Sequence, residues 1–115
     1  MDWSQYTLKY INSYDGEDAM GDDVSGRNEY FCPVTALRPG EDVVWNRPFN
    51  GYPSVKCKAV TEEGIVLLYT NYFNPIDRLA ETREVTLTPI NNTWGHSLGG
   101  GRYYHSYDLL LVKNQ

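Results

Sequence analysis

The feature that most constrains this chain is residues 54–70, SVKCKAVTEEGIVLLYT. Val55, Cys57 and Ala59 alternate with Lys56 and Lys58, the period-two pattern of a half-buried strand with its charges outward. Thr61-Glu62-Glu63-Gly64 reads as a hairpin turn with Gly64 in the left-handed position. The run IVLLY, residues 65–69, is apolar at every position and reads as a central strand.

Similar signals recur along the chain. Residues 30–37 form a short apolar run interrupted by Pro33, which places it at a sheet edge or a strand end. Arg38-Pro39-Gly40-Glu41 is a turn, with Pro pre-setting φ and Gly free to take positive φ. Residues 42–45 read as a strand. Residues 46–54 form a loop that packs Phe49 or Tyr52 onto the body. Val85–Thr88 is a strand closed by Pro89. Residues 103–112 alternate, with Tyr103, His105, Tyr107, Leu109 and Leu111 on one face and Tyr104, Ser106, Asp108, Leu110 and Val112 on the other. Strand-like runs with turns every 8–12 residues predict a mainly β fold. The expectation is a small antiparallel barrel or sandwich of five to six strands with one or two short helices.

Two segments read as the helices. In residues 2–14, Trp3, Tyr6, Tyr10, Ile11 and Tyr14 share a helical stripe with Asp2 as N-cap, and this is preferred to a strand through Tyr6, Leu8 and Tyr10. In residues 71–83, Asn74 caps, Pro75 takes the first helical position, and Ile76, Leu79 and Ala80 share a face. Between 90 and 102 lies a polar, glycine-rich stretch read as a loop.

The charge is segregated. The 115-residue chain carries −5 overall. Residues 1–29 hold Asp2, Asp15, Glu17, Asp18, Asp22, Asp23 and Glu29 against Lys9 and Arg27, while residues 30–115 sum to zero. Residues 15–29, glycine-rich and acidic, read as a solvated loop whose spacing does not match a calcium-binding loop. The chain thus divides into residues 1–29 and a β-rich body, 30–115, within a single domain. A neutral body without clustered Lys and Arg argues against nucleic acid. No apolar run reaches the ~18 residues of a membrane-spanning helix, so no membrane role is expected. The first residues have neither a basic flank nor an apolar segment, so no signal peptide is expected. Cys32 and Cys57 lie in strand-like runs and read as reduced core thiols, which suits the cytoplasm.

The candidate site is the stretch 94–107, which holds both histidines and three consecutive glycines. His96, His105 and Asp108 lack diagnostic metal-ligand spacing, and hydrogen-bonded histidines are preferred. Ser97 beside His96 is not read as the elbow of a nucleophilic serine, and His105 and Asp108 fall on opposite faces of a regular strand. Gly99-Gly100-Gly101-Arg102 lacks the context of a phosphate loop. No catalytic residue, metal site or cofactor is therefore assigned. Ten of the sixteen aromatic residues are tyrosines, the type that gathers at recognition surfaces. The expected function is a non-enzymatic binding domain engaging a protein partner, in the manner of a small inhibitor or immunity-type protein. Its contact residues would be Trp94, His96, Arg102, Tyr103, Tyr104, His105 and Tyr107, with the acidic segment as a second contact. A homodimer in which the glycine-rich loop and the aromatic strand pair across a two-fold axis is a further expectation. The alternative is a small-molecule or carbohydrate pocket, with or without enzymatic activity, around the same stretch.

Overall fold

In the computed structural model, residues 1–115 are described except Asn50, Pro75, Asp77, Arg78, Gly101 and Arg102. Among the described residues seven strands are formed: β1 (Tyr6–Glu17), β2 (Asp23–Pro33), β3 (Ser54–Val60), β4 (Ile65–Tyr72), β5 (Ala80–Leu87), β6 (Thr93–Gly100) and β7 (Tyr103–Lys113). All pairings are antiparallel, in a four-stranded sheet ordered β2-β1-β7-β6 and a three-stranded sheet ordered β3-β4-β5. The expected mainly β fold is observed. Its strand count rises to seven, and the only helical pieces among the described residues are single 3-10 turns at Trp3–Gln5 and Val34–Ala36. No helix among the described residues is long and apolar enough to cross a membrane.

The core lies between the two sheets. Leu8, Tyr10, Cys32, Leu109 and Leu111 from the larger sheet meet Val55, Cys57, Ile65, Leu67, Tyr69, Val85 and Leu87 from the smaller. Burial along β4 alternates strictly between buried and half-buried, so the IVLLY strand is central and its second face is only partly covered. Phe49 packs on Tyr30 at 4.7 Å and on Tyr10 at 5.7 Å, as its loop was expected to do. Pro33 ends β2, an edge strand, where the missing N–H costs no ladder bond.

Several local expectations are corrected. The N-terminal stripe is strand, not helix, after one 3-10 turn capped by Asp2. β1 lies between β2 and β7 and bonds to both, which outweighs a helical stripe whose Tyr, Thr and Ile residues also favour strands. The acidic stretch is the far half of the β1–β2 hairpin rather than a loop. Asp18 Oδ1 accepts the Met20 and Asp22 N–H groups, each at 2.9 Å, and organises the turn. Residues 42–45 contribute only an isolated bridge, Asp42 to Lys56. The second helix is absent from its described residues: Asn71 and Tyr72 finish β4, and Ala80–Arg83 begin β5. The first helical position given to Pro75 falls outside the described residues. Gly64 does not have positive φ. A Cβ there would meet the Leu87 carbonyl oxygen, so the glycine is required by close approach.

The two sheets differ in length, and this positions the site. β1 has 12 residues and β4 has 8, a difference of about 13 Å at ~3.3 Å per residue. The long hairpins β1–β2 and β6–β7 therefore project beyond the smaller sheet, and the molecule measures 50 × 32 × 26 Å.

Candidate functional site

The expected glycine-rich loop at 93–100 is instead strand β6, paired residue for residue with β7. Glycine has poor strand propensity, and here the missing side chains are replaced from the neighbouring strand. A Cβ at Gly95 would meet the Asp108 carboxylate, and one at Gly99 would meet the Tyr104 ring. On the β1–β2 hairpin, the Tyr14 ring likewise lies over Gly26. Such cross-strand cover fixes register where propensity does not.

The register aligns one face of three strands, β6, β7 and β1. His96 opposes Tyr107, Leu98 opposes His105, and Tyr14 opposes His105 from the other side. Leu109 and Leu111 on this face are buried, Tyr107 and His105 are half-buried, and Tyr103 is 44% exposed. The core thus opens gradually into an aromatic ledge on the projecting sheet. The His96 and Tyr107 rings lie 5.1 Å apart at 19°, and those of His105 and Tyr107 6.1 Å apart at 15°. Tyr14 extends the row, 6.1 Å from His105.

A polar layer marks where the smaller sheet stops. Tyr69 Oη lies 2.7 Å from His96 Nε2 and accepts Asn71 Nδ2–H at 2.9 Å. With Asn71 donating, we assign the Tyr69 proton to the bond with Nε2 and the His96 proton to Nδ1. Burial, and then the Arg83 guanidinium, hold His96 below its usual pKa against the pull of Asp108, which matches a neutral ring. Burial raises the Tyr69 and Tyr107 phenols, with Asn71 opposing in both. Phe73 closes the layer, 4.4 Å from His96 and with the Arg83 guanidinium 3.7 Å above its ring. In the same interior, Tyr10 Oη and Asn12 Oδ1 are buried without a hydrogen-bond partner.

The candidate residues separate accordingly. Trp94, His96, Tyr103, His105 and Tyr107 share the inner face, and Trp94 packs inward on Tyr69 at 4.8 Å. Tyr104, 54% exposed, lies on the outer face and donates to Ser97 Oγ at 2.7 Å. Arg102 lies outside the described residues. Strand alternation from the sequence correctly separates Tyr104 and Asp108 from His105. It misses Tyr14, Tyr69, Asn71 and Phe73. For Asn71 a signal exists, because extending the parity of Ile65, Leu67 and Tyr69 by two residues puts it on the core face.

Ser97 stands at the centre of a Gly-x-Ser-x-Gly spacing, but it lies within strand β6 rather than on a strand-to-helix turn, on the sheet face opposite His96 and His105, and Asp108 is on the outer face as well. Among the described residues no three His, Cys, Asp or Glu side chains converge as a metal site would require. Burial pushes both the Cys32 and Cys57 thiols up, away from thiolate.

The ledge runs into the acidic hairpin. Asp15 opposes Tyr104, Gly16 opposes Tyr103, and Glu17 opposes Asp23 across the β1–β2 turn. Two features distant in sequence, the aromatic strand and the acidic segment, thereby come to the same end of the sheet, with Asp15, Glu17 and Asp23 on the outer face beside Tyr104 and the ledge on the inner face. Comparison with known families, curated proteins and solved structures finds no match to this chain.

Proposed function

We propose that this chain is a non-enzymatic binding module that engages a protein partner through the aromatic ledge and the acidic hairpin beside it. The observation that carries this reading is the register that sets Tyr14 and Gly16 against His105 and Tyr103, which brings rigid aromatic area and concentrated negative charge to the same projecting end of the sheet. Aromatic rings supply large contact area at low entropic cost, and a flanking patch of carboxylates steers a basic surface into place. Rings standing side by side on one sheet face form a ledge suited to a protein surface rather than a cleft around a small ligand. The partner expected is a protein presenting basic residues around an apolar patch, as for an inhibitor or immunity-type protein that covers a basic target. Two buried free thiols fit a reducing compartment such as the cytoplasm.

Affinity capture from the source cell tests this reading. Deleting residues 15–29 is unsuitable, because it would remove paired halves of β1 and β2. Point variants keep the sheet: Tyr103→Ala with His105→Ala, and separately Asp15→Asn, Glu17→Asn and Asp23→Asn together. A discrete protein retained by the wild type and lost from both variants is expected. A protein retained equally by all three would refute the reading.

A further inference from the structure

Four strand edges border the two sheets, and three are defended. On β2, Asn46 Oδ1 accepts the Phe31 N–H at 2.8 Å, Asn46 N–H donates to Phe31 O at 2.9 Å, and Arg47 donates to Glu29 O at 3.3 Å. On β3, Gly40 N–H donates to Cys57 O at 2.8 Å, Cys57 N–H to Glu41 O at 3.0 Å, and Val43 N–H to Val55 O at 2.9 Å. β5 carries Glu81, Arg83 and Glu84. Charge and loop cover are the usual devices against strand addition. β6, the fourth edge, has neither. Gly95–Gly99 holds no charge and no proline, and among the described residues no main-chain hydrogen bond reaches its outer side.

The phase of the ladder shows what that edge presents. Leu111 N–H donates to Asn92 O at 2.8 Å, which makes this a hydrogen-bonded pair. Counting along the unbroken register, Trp94, His96 and Leu98 turn their main-chain groups to β7, and Gly95, Ser97 and Gly99 turn theirs outward. The free donors and acceptors therefore sit on residues with the smallest side chains.

We propose that β6 pairs antiparallel with β6 of a second copy of this chain, on a two-fold axis at Ser97. The segment Gly95-His96-Ser97-Leu98-Gly99 reads Gly-x-Ser-x-Gly in both directions, the self-complementarity that an isologous contact requires. The axis sets Ser97 against Ser97 and Gly95 against Gly99 as hydrogen-bonded pairs. On the inner face it sets His96 beside Leu98 of the second copy, so the two aromatic ledges become continuous. Charge also favours this occupant. The acidic β2 lies at the opposite edge, three strand spacings or about 14 Å away, so joining β6 edges keeps the acidic hairpins apart. The pairing does not depend on the protein partner proposed above.

Sedimentation equilibrium on the full chain from about 10 μM to 1 mM tests it, a range suited to a small, weak interface. The wild type is expected to rise from the 13.2 kDa of one chain towards twice that mass. Ser97→Lys, which places a charge on the edge, is expected to remain a single chain with an unchanged circular dichroism spectrum. A wild type that stays at one-chain mass overturns the proposal, as does association unaffected by Ser97→Lys. Ser97→Cys supplies a second readout, since hydrogen-bonded antiparallel residues have Cα atoms about 5.5 Å apart, within disulfide range. Mild oxidation should give a covalent dimer at least tenfold faster than for Glu63→Cys, an exposed control. Equal rates overturn the pairing.

Discussion

Tyr69→Phe removes one oxygen and tests the polar layer that ends the core. That oxygen accepts from Asn71 Nδ2 at 2.9 Å and lies 2.7 Å from His96 Nε2, so two hydrogen bonds are lost together. Asn71 is 2% exposed and gains no water in exchange. A buried donor left without an acceptor costs about 1–3 kcal/mol. For a domain of this size that corresponds to a fall of about 4–12 °C in thermal midpoint. The variant should also respond differently to pH. The folded-state pKa of His96 lies below the ordinary value of 6.5, through burial and then Arg83. The unfolded chain therefore takes up the proton first as pH falls. The contribution of His96 to stability is complete above about 6.5 and is lost as pH falls through that value towards the lower folded pKa. In the wild type, a proton on Nε2 also opposes the Tyr69 hydroxyl, so removing the hydroxyl should flatten this slope. Thermal melts at pH 7.5 and 5.5 of the wild type, Tyr69→Phe and His96→Ala measure both effects. A loss below about 0.5 kcal/mol, or a slope identical to the wild type, would refute the assigned hydrogen-bond chain.

Gly64→Ala drives a methyl against the Leu87 carbonyl and Thr88 Cγ2, and should lower the urea midpoint by the equivalent of about 1–3 kcal/mol with an unchanged m-value. Cys32 and Cys57 should resist a thiol reagent in the native state and react together once urea unfolds the chain, since both are buried with pKa values raised by burial. Lys58→Ala breaks a 2.9 Å ion pair with Glu84, but both side chains are about half exposed, so denaturation should report a change below about 0.5 kcal/mol.

The parts of the fold legible in the sequence are those whose strand state is written in their own residues. The alternation of Val55 and Cys57 with lysines, the apolar run 65–69 and the parity of 103–112 each describe a strand without reference to anything else. β6 and the far half of the β1–β2 hairpin are different. Gly26, Gly95 and Gly99 become strand residues because Tyr14, Asp108 and Tyr104 reach across to cover them, and no local propensity carries that information. The aromatic stripe of residues 2–14 fits helix and strand alike until β7 and β2 are available as partners. The site follows the same division. Parity places Tyr103, His105 and Tyr107 together, but Tyr14 joins them through a different strand pair. Tyr69, Asn71 and Phe73 arrive from the other sheet. The meeting of the ledge and the acidic hairpin at one end of the sheet depends on a pairing between residues about 90 positions apart, Gly16 with Tyr103.

The most direct test of the binding face is site-specific photocrosslinking in the source cell. A photoreactive side chain placed at position 103 or 105 sits on the ledge, and one at exposed Val44 lies away from it. The account predicts a discrete heterologous adduct from 103 and 105, absent from position 44 and weakened when Asp15, Glu17 and Asp23 are neutralised. Adducts of equal yield from all three positions, or none from the ledge, would contradict it.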